Sequence, residues 1–189
     1  MTTKFQQNLD EHRALFARME ALSEPVAQAA GLIADTLTAG HKLMLCGNGG
    51  SAADSQHLAA EFTGRFIKDR KPLAALALST DSSALTCIAN DYSFDEVFYR
   101  QVVGLGKAGD CLLAISTSGN SKNVLRAVEA ARDLGLHTIG LLGRDGGQLA
   151  GRCDVAIVVP SSSTARIQEA HIMIGHTLCG MVEESLKLG

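Results

Sequence analysis

The chain has 189 residues, of which 46% are hydrophobic and 20% charged, and its formal net charge is −3. This is the composition of one globular domain with a sizeable core, and it offers no basic field for nucleic acid. No apolar run approaches the ~20 residues that cross a bilayer. We therefore expect a single domain over residues 1–189, with neither nucleic acid nor a membrane as partner.

The first forty residues predict two helices, 3–23 and 23–40, which we expect to form a helical hairpin. Ser23 is placed to cap the second helix, and Pro25 falls in the first turn of that helix. No strand occurs in this stretch for the two helices to cover. Their apolar side chains therefore pack either on the chain's own sheet or on a second copy of the chain.

From residue 42 onward, short apolar runs alternate with helical segments. The predicted strands are 42–46, 73–78, 111–115, 138–142 and 155–159, and the predicted helices are 51–66, 82–104, 123–134, 148–152 and 164–186. Strands that alternate with helices indicate a parallel sheet covered on both faces. The sequence therefore predicts an α/β fold with a five-stranded, doubly wound parallel sheet.

Residues 116–121, Ser-Thr-Ser-Gly-Asn-Ser, directly follow one predicted strand and precede a predicted helix. We call this segment the hydroxyl turn. Hydroxyl groups and backbone N–H groups at a helix N-terminus bind phosphate. The turn contains no lysine, so it is not a Walker loop. Hydroxyls without a cation favour a sugar phosphate over a triphosphate that carries magnesium.

Residues 47–52, Gly-Asn-Gly-Gly-Ser-Ala, form a second turn between a strand and a helix. This glycine turn matches the relaxed dinucleotide pattern G-x-G-x-x-A, but the acidic residue expected ~20 positions later is missing. We interpret it as a loop that approaches a polyol closely, with Asn48, Gly49 and Gly50 facing the ligand. A dinucleotide site is the less favoured alternative.

The helix after the glycine turn carries His57 and Glu61 at i and i+4, and the last helix carries Gln168 and His176. An imidazole and a carboxylate on one helix face are the beginning of a zinc or similar divalent site. The simpler alternatives are that His57 and Glu61 form a surface ion pair, and that the last helix is a packing helix with a few polar side chains. Gln168 and His176 are eight residues apart, or ~12 Å along the helix axis, so sharing one ion requires inclined side chains.

Taken together and in order, these motifs resemble the phosphoheptose isomerase family, within the sugar isomerase (SIS) fold group, over nearly the whole chain. They are segments 47–51, 56–57, 61–62, 89–91 (Ala-Asn-Asp), 116–121, 166–169 (Arg-Ile-Gln-Glu) and His176. One departure is Ala165, where some members carry an acidic residue before the Arg-Ile-Gln-Glu run. No role of that acid transfers to this chain.

The resemblance implies isomerisation of sedoheptulose 7-phosphate to D-glycero-D-manno-heptose 7-phosphate, the first step toward nucleotide-activated heptose for bacterial surface polysaccharide such as lipopolysaccharide. It also implies a cytoplasmic homotetramer with zinc-containing active sites between subunits. The implied zinc ligands are His57, Glu61, Gln168 and His176. The implied phosphate contacts are Ser116, Thr117, Ser118 and Ser121. The implied sugar contacts are Asn48, Gly49, Gly50, Glu61, Asn90, Asp91 and Gln168.

For such a reaction we assign Glu61 as the base that removes a C–H proton and His176 as its acid partner, with zinc polarising the carbonyl. Two alternative functions would use the hydroxyl turn as a phosphate-binding site, which we call the phosphate cradle, without catalysing a reaction. One is a non-catalytic SIS protein such as a DnaA-binding initiator-associating factor, and the other is a regulatory sugar-phosphate sensor. The presence of His176 and the three successive hydroxyls of the turn argue against the former.

The cellular compartment follows from the cysteines and the N-terminus. The five cysteines are odd in number, scattered and without a Cys-x-x-Cys motif. Residues 1–10 are polar and lack the hydrophobic core of a signal peptide. Reduced thiols in a cytoplasm fit this pattern better than a disulfide framework.

Overall fold

The structure is a computed structural model that describes residues 3–188. Five parallel strands form one sheet in the order β2-β1-β3-β4-β5, which confirms the predicted fold. The strands are β1 (Leu43–Gly47), β2 (Ala75–Ala77), β3 (Cys111–Ser116), β4 (His137–Gly143) and β5 (Val155–Val159). All six residues of β3 are buried, because helices cover both faces of its part of the sheet.

The helices divide between the two faces of the sheet. They are α1 (Lys4–Phe16), α2 (Ser23–Thr38), α3 (Gly50–Thr63), α4 (Ser82–Asp91), α5 (Tyr99–Leu105), α6 (Lys122–Asp133), α7 (Gly147–Ala150) and α8 (Thr164–Ser185). Leu43 and Leu45 of β1 face a core shared with α2, α3 and α8, whereas Met44 and Cys46 face α5, α6 and α7. None of these helices, within residues 3–188, is both long and apolar enough to cross a membrane.

The strand order places a topological switch beside β1. The chain leaves β1 for β2 on one side, and the following strand, β3, pairs on the other side, with Gly47 opposite Ile115. In open parallel sheets, ligands bind at such a switch, outside the carboxyl ends of the strands. The glycine turn follows β1 and the hydroxyl turn follows β3, so both lie at this crevice.

The N-terminal helices are joined by a 3-10 helix over Met19–Leu22. Helix α2 packs on α8 and on the sheet, which answers part of its need for burial within the chain itself. The expected capping role of Ser23 is wrong. Leu22 before it already has helical angles, and Ser23 Oγ donates to the carbonyl of Glu20, because the 3-10 helix runs directly into α2.

The predicted helix over 82–104 is also wrong as one element. The chain breaks it at Tyr92 and Ser93, where Ser93 is extended at φ −167° and ψ 164°. A 3-10 helix over Phe94–Glu96 and then α5 follow. The break lets the buried Val97 and Phe98 turn into the core, which a continuation of α4 in a straight line does not allow.

Candidate active site

The hydroxyl turn is held by its own side chains. Ser116 is 3% exposed, and its Oγ lies 3.0 Å from the Oγ of Ser121 and accepts from the N–H of Gly119 at 3.1 Å. The N–H of Asn120 donates to Ser118 Oγ at 3.2 Å. Helix α6 begins at Lys122, directly after the hydroxyl turn. The N–H groups in its first turn lack intrahelical acceptors and lie at the hydroxyl turn.

A neighbouring loop between β4 and α7 supports this turn from behind. Gly119 has φ +66°, and a Cβ on it would lie 2.0 Å from the carbonyl oxygen of Gly146. The N–H of Leu149 donates to the carbonyl of Gly119, and the N–H of Gln148 donates to Oδ1 of Asn120, each at 3.1 Å. The loop and the start of α7 therefore fix the shape of the hydroxyl turn through backbone packing and backbone N–H donors.

The glycine turn meets the hydroxyl turn through a pair of amides. Nδ2 of Asn48 donates to Oδ1 of Asn123, and Nδ2 of Asn123 donates to Oδ1 of Asn48, both at 2.8 Å. Asn123 is 3% exposed, and sequence reasoning did not single it out. Its position in the first turn of α6 was visible, but its partner was not, because the contact depends on β1 lying beside β3.

Three side chains that can hold a metal ion meet between α3 and α8. The Nε2 atoms of His57 and His176 lie 2.9 Å apart, and Nε2 of His57 lies 3.3 Å from Oε1 of Glu61. One ligand atom from each residue lies within 4.8 Å of the other two. We call these three residues the metal cluster. The structure brings His176 to the helical pair from a separate element.

The donor set of the metal cluster suits a divalent metal ion, of which zinc is one. Ligands arranged tetrahedrally at ~2.0–2.2 Å from zinc lie roughly 3.3–3.6 Å from one another. The donor distances of 2.9 and 3.3 Å are near that spacing. The side chains of His57 and Glu61 are 48% and 22% exposed, so a small molecule can reach the cluster.

Close packing of α3 against α8 makes this approach possible. A Cβ on Gly175 would lie 2.6 Å from Cδ1 of Leu58, so the glycine lets the two helices come together. At the start of α3, a Cβ on Gly50 would lie 2.2 Å from Nε2 of Gln168. Gln168 is thus placed against the glycine turn, and its role as a fourth metal ligand stays a prediction.

Asn90 and Asp91 lie at the exposed C-terminal end of α4. Nδ2 of Asn90 donates to Oδ1 of Asp91 at 2.7 Å, and Cys87 Sγ lies 3.4 Å from Oδ2 of Asp91. Within residues 3–188, their side chains form no hydrogen bond to the hydroxyl turn or to the cluster. Their role in sugar binding stays a prediction.

Burial controls the ionisable groups near the metal cluster. Desolvation raises the pKa of Asp54, one turn before His57, although His57 opposes the shift. Burial also raises the pKa of Cys179 to about 12, with Glu61 and Glu183 adding to the effect. Burial therefore favours the neutral thiol form of Cys179.

A buried histidine attaches α8 to the sheet. Nε2 of His171 lies 3.0 Å from the carbonyl oxygen of Leu142, and the residue is fully buried. Burial lowers the pKa of His171 to about 4, so the ring is neutral at physiological pH and donates through Nε2. This contact fixes α8 to β4 between Gln168 and His176.

Comparisons with known proteins agree with this geometry. Residues 7–143 match the family model described as the SIS domain. A phosphoheptose isomerase from Nitratiruptor sp. is 55% identical over 98% of this chain and all of its own length. The structure of phosphoheptose isomerase GmhA from Neisseria gonorrhoeae superposes with a TM-score of 0.91 at 49% identity, covering 96% of this chain and 97% of that one.

A second solved structure, a phosphoheptose isomerase from Francisella tularensis, gives a TM-score of 0.93 at 37% identity, again over 96% of this chain and 97% of that one. These likenesses extend over both turns and both helices of the metal cluster. The chain therefore belongs to the phosphoheptose isomerase family of SIS-domain proteins.

Proposed function

We propose that this protein is a phosphoheptose isomerase, which converts sedoheptulose 7-phosphate into D-glycero-D-manno-heptose 7-phosphate. The observation that carries the proposal is the meeting of His57, Glu61 and His176 within 4.8 Å, in a chain 55% identical to a phosphoheptose isomerase. A binding protein or sensor requires the phosphate cradle but has no use for such a cluster. The non-catalytic alternatives are therefore not favoured.

The reaction moves a proton from C1 to C2 of the sugar while the carbonyl moves from C2 to C1. Glu61 acts as the base at carbon, and His176 delivers or accepts the proton at oxygen from the other helix. A carboxylate oxygen of Glu61 and a ring nitrogen of His176 lie within 4.8 Å of each other, so both side chains can reach adjacent atoms of one substrate. A zinc ion held by the metal cluster and Gln168 would supply Lewis acidity toward the carbonyl oxygen. Because an atom that ligates the ion cannot carry a proton, Glu61 and His176 would alternate between these two roles.

The two turns would bind the remainder of the substrate. The hydroxyls of Ser116, Thr117, Ser118 and Ser121 would receive the phosphate, and Asn48, Gly49, Gly50, Gln168, Asn90 and Asp91 would contact the sugar. Anchoring the phosphate provides binding energy far from the reacting carbons, which holds those carbons in place. The neutral donors of the cradle also release the product readily.

We further propose that residues 1–189 form one SIS domain, which works as a cytoplasmic homotetramer and supplies heptose for surface polysaccharide. An apolar groove between the N-terminal helices and α8, lined by Met19, Val26, Met173 and Met181, supports self-association. The exposed position of Asn90 and Asp91 supports a site at a boundary between subunits. Residues 1, 2 and 189 of this domain lie outside the described residues.

The experiment is direct. The purified chain is stripped of metal with a chelator, supplied with increasing zinc, and incubated with sedoheptulose 7-phosphate, and the aldose C1 proton is followed by NMR. We expect product in proportion to bound zinc. Binding of the sugar phosphate without product at any zinc level would contradict the proposal and favour a sensor or another non-catalytic protein.

A further inference from the structure

A buried ion pair lies directly behind the metal cluster. Nε of Arg70, in the segment after α3, donates to Oε1 of Glu183, near the end of α8, at 2.7 Å. The two side chains are only 3% and 9% exposed. Burying both charges costs several kcal/mol of desolvation, which apolar residues of similar size avoid. A role in joining the two helices alone does not require this pair.

The guanidinium of Arg70 caps the end of α3. Its Nη2 donates to the carbonyl of Glu61 at 2.7 Å, and its Nη1 donates to the carbonyl of Phe62 at 2.7 Å and reaches that of Gly64 at 3.2 Å. The last carbonyls of a helix lack intrahelical donors, and a cation there also interacts favourably with the negative end of the helix dipole. The residue fixed most directly is Glu61, a member of the metal cluster.

The other half of the pair, Glu183, is connected to His176 through Phe66. Oε1 of Glu183 also accepts from the N–H of Phe66 at 3.3 Å. The ring of Phe66 stacks on the imidazole of His176, with centroids 5.5 Å apart and planes inclined by 28°. The same carboxylate oxygen thus positions the aromatic ring against which His176 rests.

We propose that Arg70 and Glu183 are positioning residues that hold Glu61 and His176 at metal-binding distance. The inference rests on the proposed function for the metal and adds two residues that do not touch it. Lysine cannot replace arginine here, because its three N–H donors all lie on one nitrogen. The guanidinium donates from three separate nitrogens, to two backbone carbonyls and to a carboxylate. Residues that orient metal ligands change metal affinity typically by 10- to 100-fold.

The test compares zinc affinity, by competition with a chromophoric chelator, and the visible absorption of the Co²⁺-loaded protein. The variants are Arg70→Lys and the double variant Arg70→Met with Glu183→Leu, which removes both charges together. Glu183→Gln is the conservative variant, because it keeps the Oε1 acceptor. Lys42→Met is the matched control, since it breaks the ion pair of Lys42 with the buried Asp110 at the amino ends of β1 and β3, opposite the strand ends that carry the two turns.

We expect about 10- to 100-fold weaker zinc binding and an altered Co²⁺ spectrum in Arg70→Lys and in the double variant. Glu183→Gln should stay within about threefold of wild type, and Lys42→Met should lower thermal stability without changing either readout. Wild-type zinc affinity in either folded variant that lacks the guanidinium would overturn this inference and leave the proposed function intact. A wild-type chain that binds no zinc would overturn both.

Discussion

The two halves of the candidate site are built from different chemistry. The hydroxyl turn and its amide support, Asn48 with Asn123, contain only neutral hydroxyl, amide and backbone groups. The metal cluster contains two imidazoles and a carboxylate. His171 lies on α8, the helix that carries His176. The protein groups of the first half therefore carry no titratable side chain, whereas the attachment of α8 through His171 depends on the protonation of that ring.

The halves also differ in how they are assembled. Each turn follows its own strand, and the strands β1 and β3 are neighbours, so the cradle is fixed by the sheet. The cluster joins His57 to a residue 119 positions later, and its geometry depends on the packing of two helices. If the proposed roles hold, variants of the two halves should affect substrate binding and turnover to different degrees.

The largest expected effect comes from the cluster. Glu61→Gln or His176→Gln should lower kcat by at least ~10²–10⁴-fold, since each removes a proton carrier and a proposed metal ligand. Steady-state kinetics with sedoheptulose 7-phosphate measures this. Glu184→Gln, at an exposed position of α8, is the control. Near-normal turnover of either cluster variant would dismiss the assignment.

The next effect is on stability in acid. The unfolded chain binds a proton at His171 near pH 6.5, but the folded chain does so only near the lowered pKa of about 4. Between these two values the unfolded state therefore binds more protons than the folded state. The contribution of His171 to the free energy of unfolding is fully present above pH 6.5 and is lost as the pH falls toward 4. The loss attributable to this ring is about 3 kcal/mol.

Urea unfolding at pH 7, 5.5 and 4.5 measures this dependence. His171→Gln keeps an N–H donor for the carbonyl of Leu142 but does not titrate, so its stability should fall less steeply over that range. Equal slopes for the two proteins would show that another group causes the acid sensitivity.

How far the sequence leads differs between the same two halves. The strands and both turns were predictable, because apolar runs and the residues that directly follow them are local features. The His57–Glu61 pair was visible at helical spacing. The last helix, with Gln168 and His176, could be offered as a complement from the residue types alone. Spacing did not show that His176 meets the pair, and the full ligand set entered through the family resemblance.

Contacts that need three-dimensional adjacency were missed. The pair of Asn48 with Asn123 depends on strand order, and that of Arg70 with Glu183 depends on a segment folding back under α3. The break at Ser93 was missed for another reason. The apolar spacing of 82–104 suits a helix throughout, and tertiary packing of Phe98 overrides that local preference.

A smaller effect is expected in the hydroxyl turn. Gly119→Ala forces a Cβ to 2.0 Å from a backbone oxygen at φ +66°, so the turn must shift at a cost of about 1–3 kcal/mol. KM for the sugar phosphate should rise and zinc affinity should not change. Gly31→Ala is the matched control, because no atom beyond its chain neighbours and the backbone of its own helix lies within 4 Å of the added Cβ. Loss of zinc affinity in Gly119→Ala would show that the two halves are coupled.

The smallest expected effect probes the neutral amide pair. In a double-mutant cycle of Asn48→Ala and Asn123→Ala, two reciprocal hydrogen bonds should give a coupling energy of about 1–2 kcal/mol in urea unfolding. Because neither side chain titrates, that coupling should be the same at pH 6 and pH 8, unlike any coupling that involves the histidines. A coupling energy that changes with pH would mean that an ionisable group reaches the cradle, and the separation of binding from chemistry would then be lost.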